Sequence, residues 1–204
     1  MYTLYYSPGA CSLATQTVLH ELDLPVSIID KSSVHNFNDL NPAGTVPVLV
    51  DGDTVLNEGA AILLYILGKT ENNLLPAGGP ERQAGIEAIM FANATMHPAY
   101  GRLFFGAGAI TDDAAKEAYF EQSAMAINKL WRIIDARIGS KNYLLGDTVS
   151  PADILLTVYA NWGQYFPVTI ELGQNTERMI KNVQARDSYK KAVAAETDHA
   201  SKAV

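Results

Sequence analysis

At Leu74-Leu75-Pro76-Ala77-Gly78-Gly79-Pro80 the chain changes character. Before this break, strand and helix signals alternate; after it, strand signals vanish. Proline and glycine punctuate local structure, and a dense run of both marks an exposed joint between packed units. The chain has 204 residues, 48% of them apolar, enough for one large core or two small ones. The break argues for two. The expected division is an α+β domain over 1–76, a linker over 77–82 and an all-α helical bundle over 83–204.

The first segment reads in short units. Tyr2–Tyr6 is a strand, Ser12–Glu21 a helix and Val26–Ile29 a second strand. Strand–helix–strand implies a parallel pair with a right-handed crossover. Lys31–Leu40 is polar and rich in Asn and Ser, so it is loop or a short distorted helix, and Asn41-Pro42-Ala43-Gly44 is a turn. Val46–Val50 and Thr54–Leu56, joined by Asp51-Gly52-Asp53, form a hairpin. A largely apolar helix follows over Gly59–Gly68. Pro47 heads a hairpin strand without a ladder donor; local statistics favour a trans bond before it.

The second segment has helical periodicity throughout. Glu81–Phe105 carries Pro98, which predicts a kink or joint. Asp112–Ile138 is amphipathic, with Phe120, Ala124, Ile127, Trp131, Ile134 and Ile138 on one stripe. Ser150-Pro151-Ala152-Asp153 combines an N-cap serine, a first-turn proline and an acid at the third position. It starts an apolar helix, Ala152–Phe166, expected at the centre of the bundle. Two more helices are expected, Asn175–Gln184 and Asp187–Ala195, with fraying over the Ala/Lys-rich last dozen residues.

Ser7-Pro8-Gly9-Ala10-Cys11-Ser12 links the first strand to the first helix and holds the sole cysteine. Free N–H groups and the helix dipole favour an anion at a helix start, so a thiol there ionises more easily. The stretch alone leaves a small buried cysteine equally open. One cysteine forms no internal disulfide, which points to no oxidising compartment. Net charge is −7 with no basic run, against a nucleic-acid partner. No apolar stretch reaches membrane-spanning length. The expectation is a cytoplasmic protein without a membrane or metal partner.

Five motifs in order resemble one family. They are Tyr5–Leu13, Asn41–Leu49, Leu56–Ile62, Met96–Phe104 and the Ser150–Asp153 cap. Together they resemble the cytosolic glutathione S-transferases, and the bacterial beta-type subgroup in particular. The resemblance implies a thioredoxin-like first domain, a helical second domain, a cis bond at Val46–Pro47 and a homodimer. It implies a transferase that binds glutathione through Tyr6, Cys11, His35, Val46, Pro47, Glu58 and Gly59. Cys11 and His97 become the catalytic candidates. Pro8, Tyr100, Phe104 and Tyr159 become the acceptor-substrate lining of a cleft between the domains, with Trp162 and Tyr165 beside them and Gly106–Gly108 as a flexible lip. The co-substrate is glutathione and its target a hydrophobic electrophile. Two alternatives stand beside this: Cys11-based thiol–disulfide or peroxide chemistry, and a non-catalytic binding protein of the same fold.

The sequence departs from the family pattern at three places. No basic residue clearly follows the second strand to meet the glycyl carboxylate; His35 and Lys31 are the nearest. Pro98 stands where the family has lysine after its helix histidine. Met90 occupies the position of a polar residue one turn earlier.

Overall fold

The computed structural model describes the backbone of residues 1–202 and side chains through Thr197. Residues Met1–Pro76, with those from Gln184 on, form one compact unit; Ala77–Val183 form another.

The first unit is built on four strands: β1 (Tyr2–Tyr6), β2 (Val26–Asp30), β3 (Val48–Asp51) and β4 (Thr54–Asn57). Their order is β2-β1-β3-β4. β1 and β2 are parallel, with Leu4 opposite Ile28. β1 and β3 are antiparallel, with Leu4 opposite Leu49, and β3–β4 close the hairpin, with Leu49 opposite Leu56. The hairpin turn uses Gly52 at φ +59, where glycine lacks the Cβ penalty. Helix α1 (Ser12–Glu21) is the crossover between β1 and β2. The short α2 (Phe37–Leu40) lies in the following loop, and α3 (Gly59–Lys69) follows β4. Leu4, Leu19, Leu49, Ile62 and Ile66 form the fully buried centre. They are the inward residues of β1, α1, β3 and α3, so one layer of sheet and one of helix share a core.

The second unit is helical: α4 (Gly79–Phe91), α5 (His97–Ala109), α6 (Asp113–Ile138), α7 (Pro151–Ala160) and α8 (Gln174–Gln184). The predicted stripe on α6 is buried at all six positions. α7 is buried from Pro151 to Tyr159 and begins at the expected capping box. It ends at Ala160, and Asn161–Tyr165 continues as a 3-10 turn. Pro98 does not kink a continuous helix. A π-helical turn, Ala92–Met96, precedes α5 and places Pro98 in its first turn. Widening the ladder there accommodates a residue with no N–H to give and a ring that would strike the preceding turn.

Three expectations need correction. The chain from Gln184 on groups with the first unit, not with the helical bundle. The reason is α9 (Asp187–Lys202), which packs along α1. Second, α9 continues to Lys202 instead of fraying over the last dozen residues; Ala203 and Val204 lie outside the described residues. Third, Gly106–Gly108 is no lip. It lies inside α5, and a Cβ at Gly106 would stand 2.7 Å from the Tyr119 ring of α6.

Candidate active site

The β1–α1 loop is a tight, internally bonded turn. The Ala10 N–H donates to the Ser7 carbonyl at 3.1 Å, and the Ser12 hydroxyl to the same oxygen at 3.4 Å. Gly9 sits at φ +71, which lets the chain reverse after the exposed Pro8. Cys11 occupies the N-cap of α1 and is partly exposed. Its Sγ–H donates to the Val46 carbonyl at 3.2 Å. Burial pushes the thiol up to about 11; its own amide and that of Ser12 oppose this, and the Glu58 charge adds to it. The expectation of an easily ionised thiol is therefore overturned. The helix-end amides do face the sulfur, but desolvation outweighs them. Cys11 is a neutral thiol donor at ordinary pH. Tyr6 lies fully buried beneath this loop, its hydroxyl pKa raised by burial and then by Asp30 and Glu196.

The Val46–Pro47 bond is cis. Asn41, itself buried, shapes the approach to it. Its amide nitrogen donates to the Thr45 carbonyl at 2.9 Å, and its oxygen accepts from the Ala43 N–H at 3.1 Å. Lys31 Nζ donates to the Gly44 carbonyl at 2.9 Å. Of the two basic residues weighed for this region, Lys31 thus braces the loop, and His35 is exposed. Pro47 is buried and Val46 half-buried, so the turn is anchored on one side and open on the other.

Glu58 caps α3 with φ 70 and ψ 110, a rare backbone state for a residue with a side chain. It is exposed, and Gly59 behind it is half-buried. Nothing in the residue pattern announces this conformation. The first N–H groups of α3 have no intrahelical partners, as at any helix start. Glu58 stands at the N-cap of that helix, and its side chain makes no capping hydrogen bond.

The second unit holds the remaining candidates. His97, at the start of α5, stacks on Tyr159 at 5.1 Å and 11° and lies 5.1 Å from the Trp162 ring. Tyr100 and Tyr159 have no exposed surface. The Tyr100 hydroxyl accepts from Trp131 Nε1 at 2.9 Å, and burial pushes its pKa up to about 12. Both tyrosines are core residues, which corrects their expected place as surface lining. Phe104 is 47% exposed, edge-on to Trp162 and Phe166. Tyr165 is exposed and Trp162 buried.

Sequence reasoning missed Glu196 of α9. It is 7% exposed, and its Oε2 accepts the Gly9 N–H at 2.9 Å. A signal existed: Glu196 falls on the inward stripe of α9 with Tyr189 and Ala192, both buried. Among the described residues no cluster of three metal-ligating side chains occurs, and no helix is long and apolar enough to cross a membrane.

Comparison with known proteins adds to this geometry. Residues 9–67 match the family model "Glutathione S-transferase, N-terminal domain", and residues 91–185 match "Glutathione S-transferase, C-terminal domain". Glutathione S-transferase GST-4.5 of Xanthomonas campestris pv. campestris is 36% identical over 165 residues, covering 78% of this chain and 81% of that protein. A beta-class glutathione S-transferase of Sphingomonas chungbukensis superposes with a TM-score of 0.82 at 29% identity, over 95% of this chain and 98% of the other. A sphingomonad glutathione S-transferase complexed with glutathione gives a TM-score of 0.83 at 28% identity, over 96% and 98%.

Proposed function

Because the chain belongs to the glutathione S-transferase family, we infer that it binds glutathione on its first unit and transfers the tripeptide's thiolate to a hydrophobic electrophile. The reaction forms one carbon–sulfur bond. The glutathione thiol loses its proton to solvent, the thiolate attacks the electrophilic carbon, and the leaving group departs with its electron pair. The likeness to the beta-class Sphingomonas chungbukensis enzyme supports the bacterial beta-type subgroup.

The contact between Cys11 Sγ and the Val46 carbonyl carries this reading. It brings the only thiol to the residue whose backbone would pair with the cysteinyl part of the tripeptide, as an added strand pairs with a sheet edge. The N-terminus of α3, with Gly59, suits the γ-glutamyl carboxylate, and Glu58 suits its amino group. His35 is the candidate for the glycyl end, because Lys31 is taken up by the Gly44 carbonyl. A neutral Cys11 is a hydrogen-bond donor to an incoming thiolate, which favours transfer over attack by Cys11 itself. Phe104 offers an exposed apolar ring for the electrophile. His97 is the second catalytic candidate, held in orientation by its stack on Tyr159.

Isothermal titration with glutathione tests the site. Glu58→Ala is expected to weaken binding by about tenfold or more, in line with loss of a charge-assisted bond. Lys31→Ala should leave binding within about threefold, a difference of under 1 kcal/mol. Equal losses in both variants would move the tripeptide elsewhere. With a generic aryl halide, Cys11→Ala is expected to keep measurable turnover; complete loss would transfer the chemistry to Cys11 as nucleophile. We further propose a cytoplasmic homodimer, which sedimentation at twice the 22.1 kDa chain mass would support.

A further inference from the structure

We propose that Glu196 is a positioning residue for the loop that carries Cys11. It acts through the Gly9 amide and holds that loop more firmly as its carboxyl group ionises. The proposal rests on the reading of this loop as part of the glutathione site.

The argument begins with where the glutamate lies. Tyr189, Ala192 and Glu196 recur at helical spacing on the inward side of α9, and all three are buried. The inward position of an amphipathic helix usually carries an apolar side chain. A carboxyl group there sheds its hydration, and it persists only where a partner offsets the loss. No cation meets Glu196 among the described residues. Its Oε2 accepts the Gly9 N–H at 2.9 Å, from 187 residues away, and its Oε1 has no hydrogen-bond partner among the described residues. This carboxyl is therefore held at the β1–α1 loop by one backbone donor.

The neighbouring charges do not compensate it. From β1 it faces Tyr6, and from the end of β2 the like charge of Asp30. On α1, His20 faces Lys191 and Asp23, while Glu21 is taken by Arg186 and Ser188. Cys11 feels Glu58, not Glu196, as its charged neighbour. Burial, with a smaller contribution from Asp30, pushes Glu196 up to about 7 against the Gly9 bond. Its charge thus changes near neutrality.

The consequence falls on Cys11, two residues beyond Gly9. Gly9 at φ +71 is where the loop reverses, and its amide plane sets the direction in which the chain enters α1. An ionised acceptor makes a shorter and stronger bond than a neutral one. Above about pH 7 the carboxylate fixes this plane; below it the protonated group holds it less firmly. The start of α9 does not drift meanwhile, because Arg186 and Ser188 tie it to Glu21 of α1.

Three measurements on the whole 204-residue chain decide the matter, using wild type, Glu196→Gln and Glu196→Ala. The Gly9 amide resonance is followed from pH 5.5 to 8.5. The alkylation rate of the single cysteine is measured with iodoacetamide over the same range. The glutathione kcat/KM is measured against a generic aryl halide. In wild type the Gly9 signal is expected to titrate near pH 7, and in Glu196→Gln it should not. The wild-type to Glu196→Gln ratio of kcat/KM should rise through the same midpoint by about threefold to tenfold, the scale of a strengthened hydrogen bond. Glu196→Ala should alkylate faster than wild type at pH 8. A Gly9 signal that does not titrate overturns the proposal, as does one that titrates while alkylation and kcat/KM keep the same pH profiles in wild type and Glu196→Gln. If Glu196→Ala does not fold, the isosteric glutamine carries the test alone. If the protein shows no transferase activity, the functional reading fails, and the Gly9 and alkylation data still decide the role of Glu196.

Discussion

Cys11 shows how far a single residue can be read. Its place at a helix start, after a Pro-Gly turn, is plain in the sequence. Its titration is not, because two effects of opposite sign meet there. A helix end contributes about 0.3–1 kcal/mol to an anion. The rise of the thiol from 9 to about 11, which remains after the helix-end amides have lowered it, corresponds to roughly 3 kcal/mol against the anion, so the burial effect is larger still. The second term comes from packing, which the sequence does not display. Cys11 alkylation between pH 7 and 9 is therefore expected to be slower than that of an unstructured cysteine peptide, with the rate still rising beyond pH 9. A rate plateau near pH 8 would contradict this. Glu58 makes the opposite point. The sequence marks it as a helix-start acid but hides its φ of 70. Such a backbone state costs about 1–3 kcal/mol. Glycine removes that cost and adds about 0.5–1 kcal/mol of unfolded-state entropy. Glu58→Gly is expected to be as stable as wild type or up to about 2 kcal/mol more stable in urea denaturation, while glutathione titration shows weakened binding. A clear loss of stability would mean that the conformation is not strained.

Whole elements were the most legible level, because periodicity is local. The α6 stripe and the Asp51–Asp53 turn needed nothing from distant residues. The Ser150 cap was equally open, since its partner lies three residues on. In the folded chain Asp153 does more than cap. Its Oδ1 accepts the Leu144 N–H at 2.8 Å, and its Oδ2 accepts the Ser150 N–H at 2.8 Å and the Ser150 hydroxyl at 2.6 Å. It thereby ties the preceding loop to the start of the most buried helix. Asp153→Ala would leave these donors without acceptors in a dry site, at about 1–3 kcal/mol for a stranded buried group. A loss of about 3–4 kcal/mol is expected by urea denaturation, the sum over more than one stranded donor. Asp153→Asn, which keeps one acceptor oxygen, should lose less. Equal losses would show that the second oxygen matters as much as the first. The break before α5 was only half legible. Pro98 announced a discontinuity, but whether a helix kinks or widens into a π turn depends on what packs around it.

At the scale of the molecule, the least legible fact is where the last helix belongs. The composition break at Pro76 suggests a chain cut once, with everything beyond it in the second part. The chain instead comes back to its first unit at Gln184. The contacts responsible pair residues about 165 apart, and no local pattern encodes such a pairing. Arg186 forms an ion pair with Glu21, which also accepts from the Ser188 hydroxyl. Glu21 is the more enclosed partner, at 13% side-chain exposure against 33%. Burial alone would raise its pKa, but the bonds from Arg186 and Ser188 and the Arg186 charge reverse the sign, and the carboxyl is held below its usual range. A depressed carboxylate stabilises the fold above its unfolded pKa, and that contribution is lost as pH falls through the folded value. Arg186→Ala strands a mostly buried carboxylate, so a loss of about 2 kcal/mol is expected at pH 7, discounted from a fully buried pair because the arginine is partly solvated. The gap to wild type in urea denaturation should narrow at pH 3.5, where protonation begins to remove the partner's charge. Arg186→Lys should recover part of the loss, since a point charge replaces a two-pronged donor. A gap that is the same at both pH values would assign the loss to packing of the arginine stem, and the tie between the chain's last helix and its first would then be apolar.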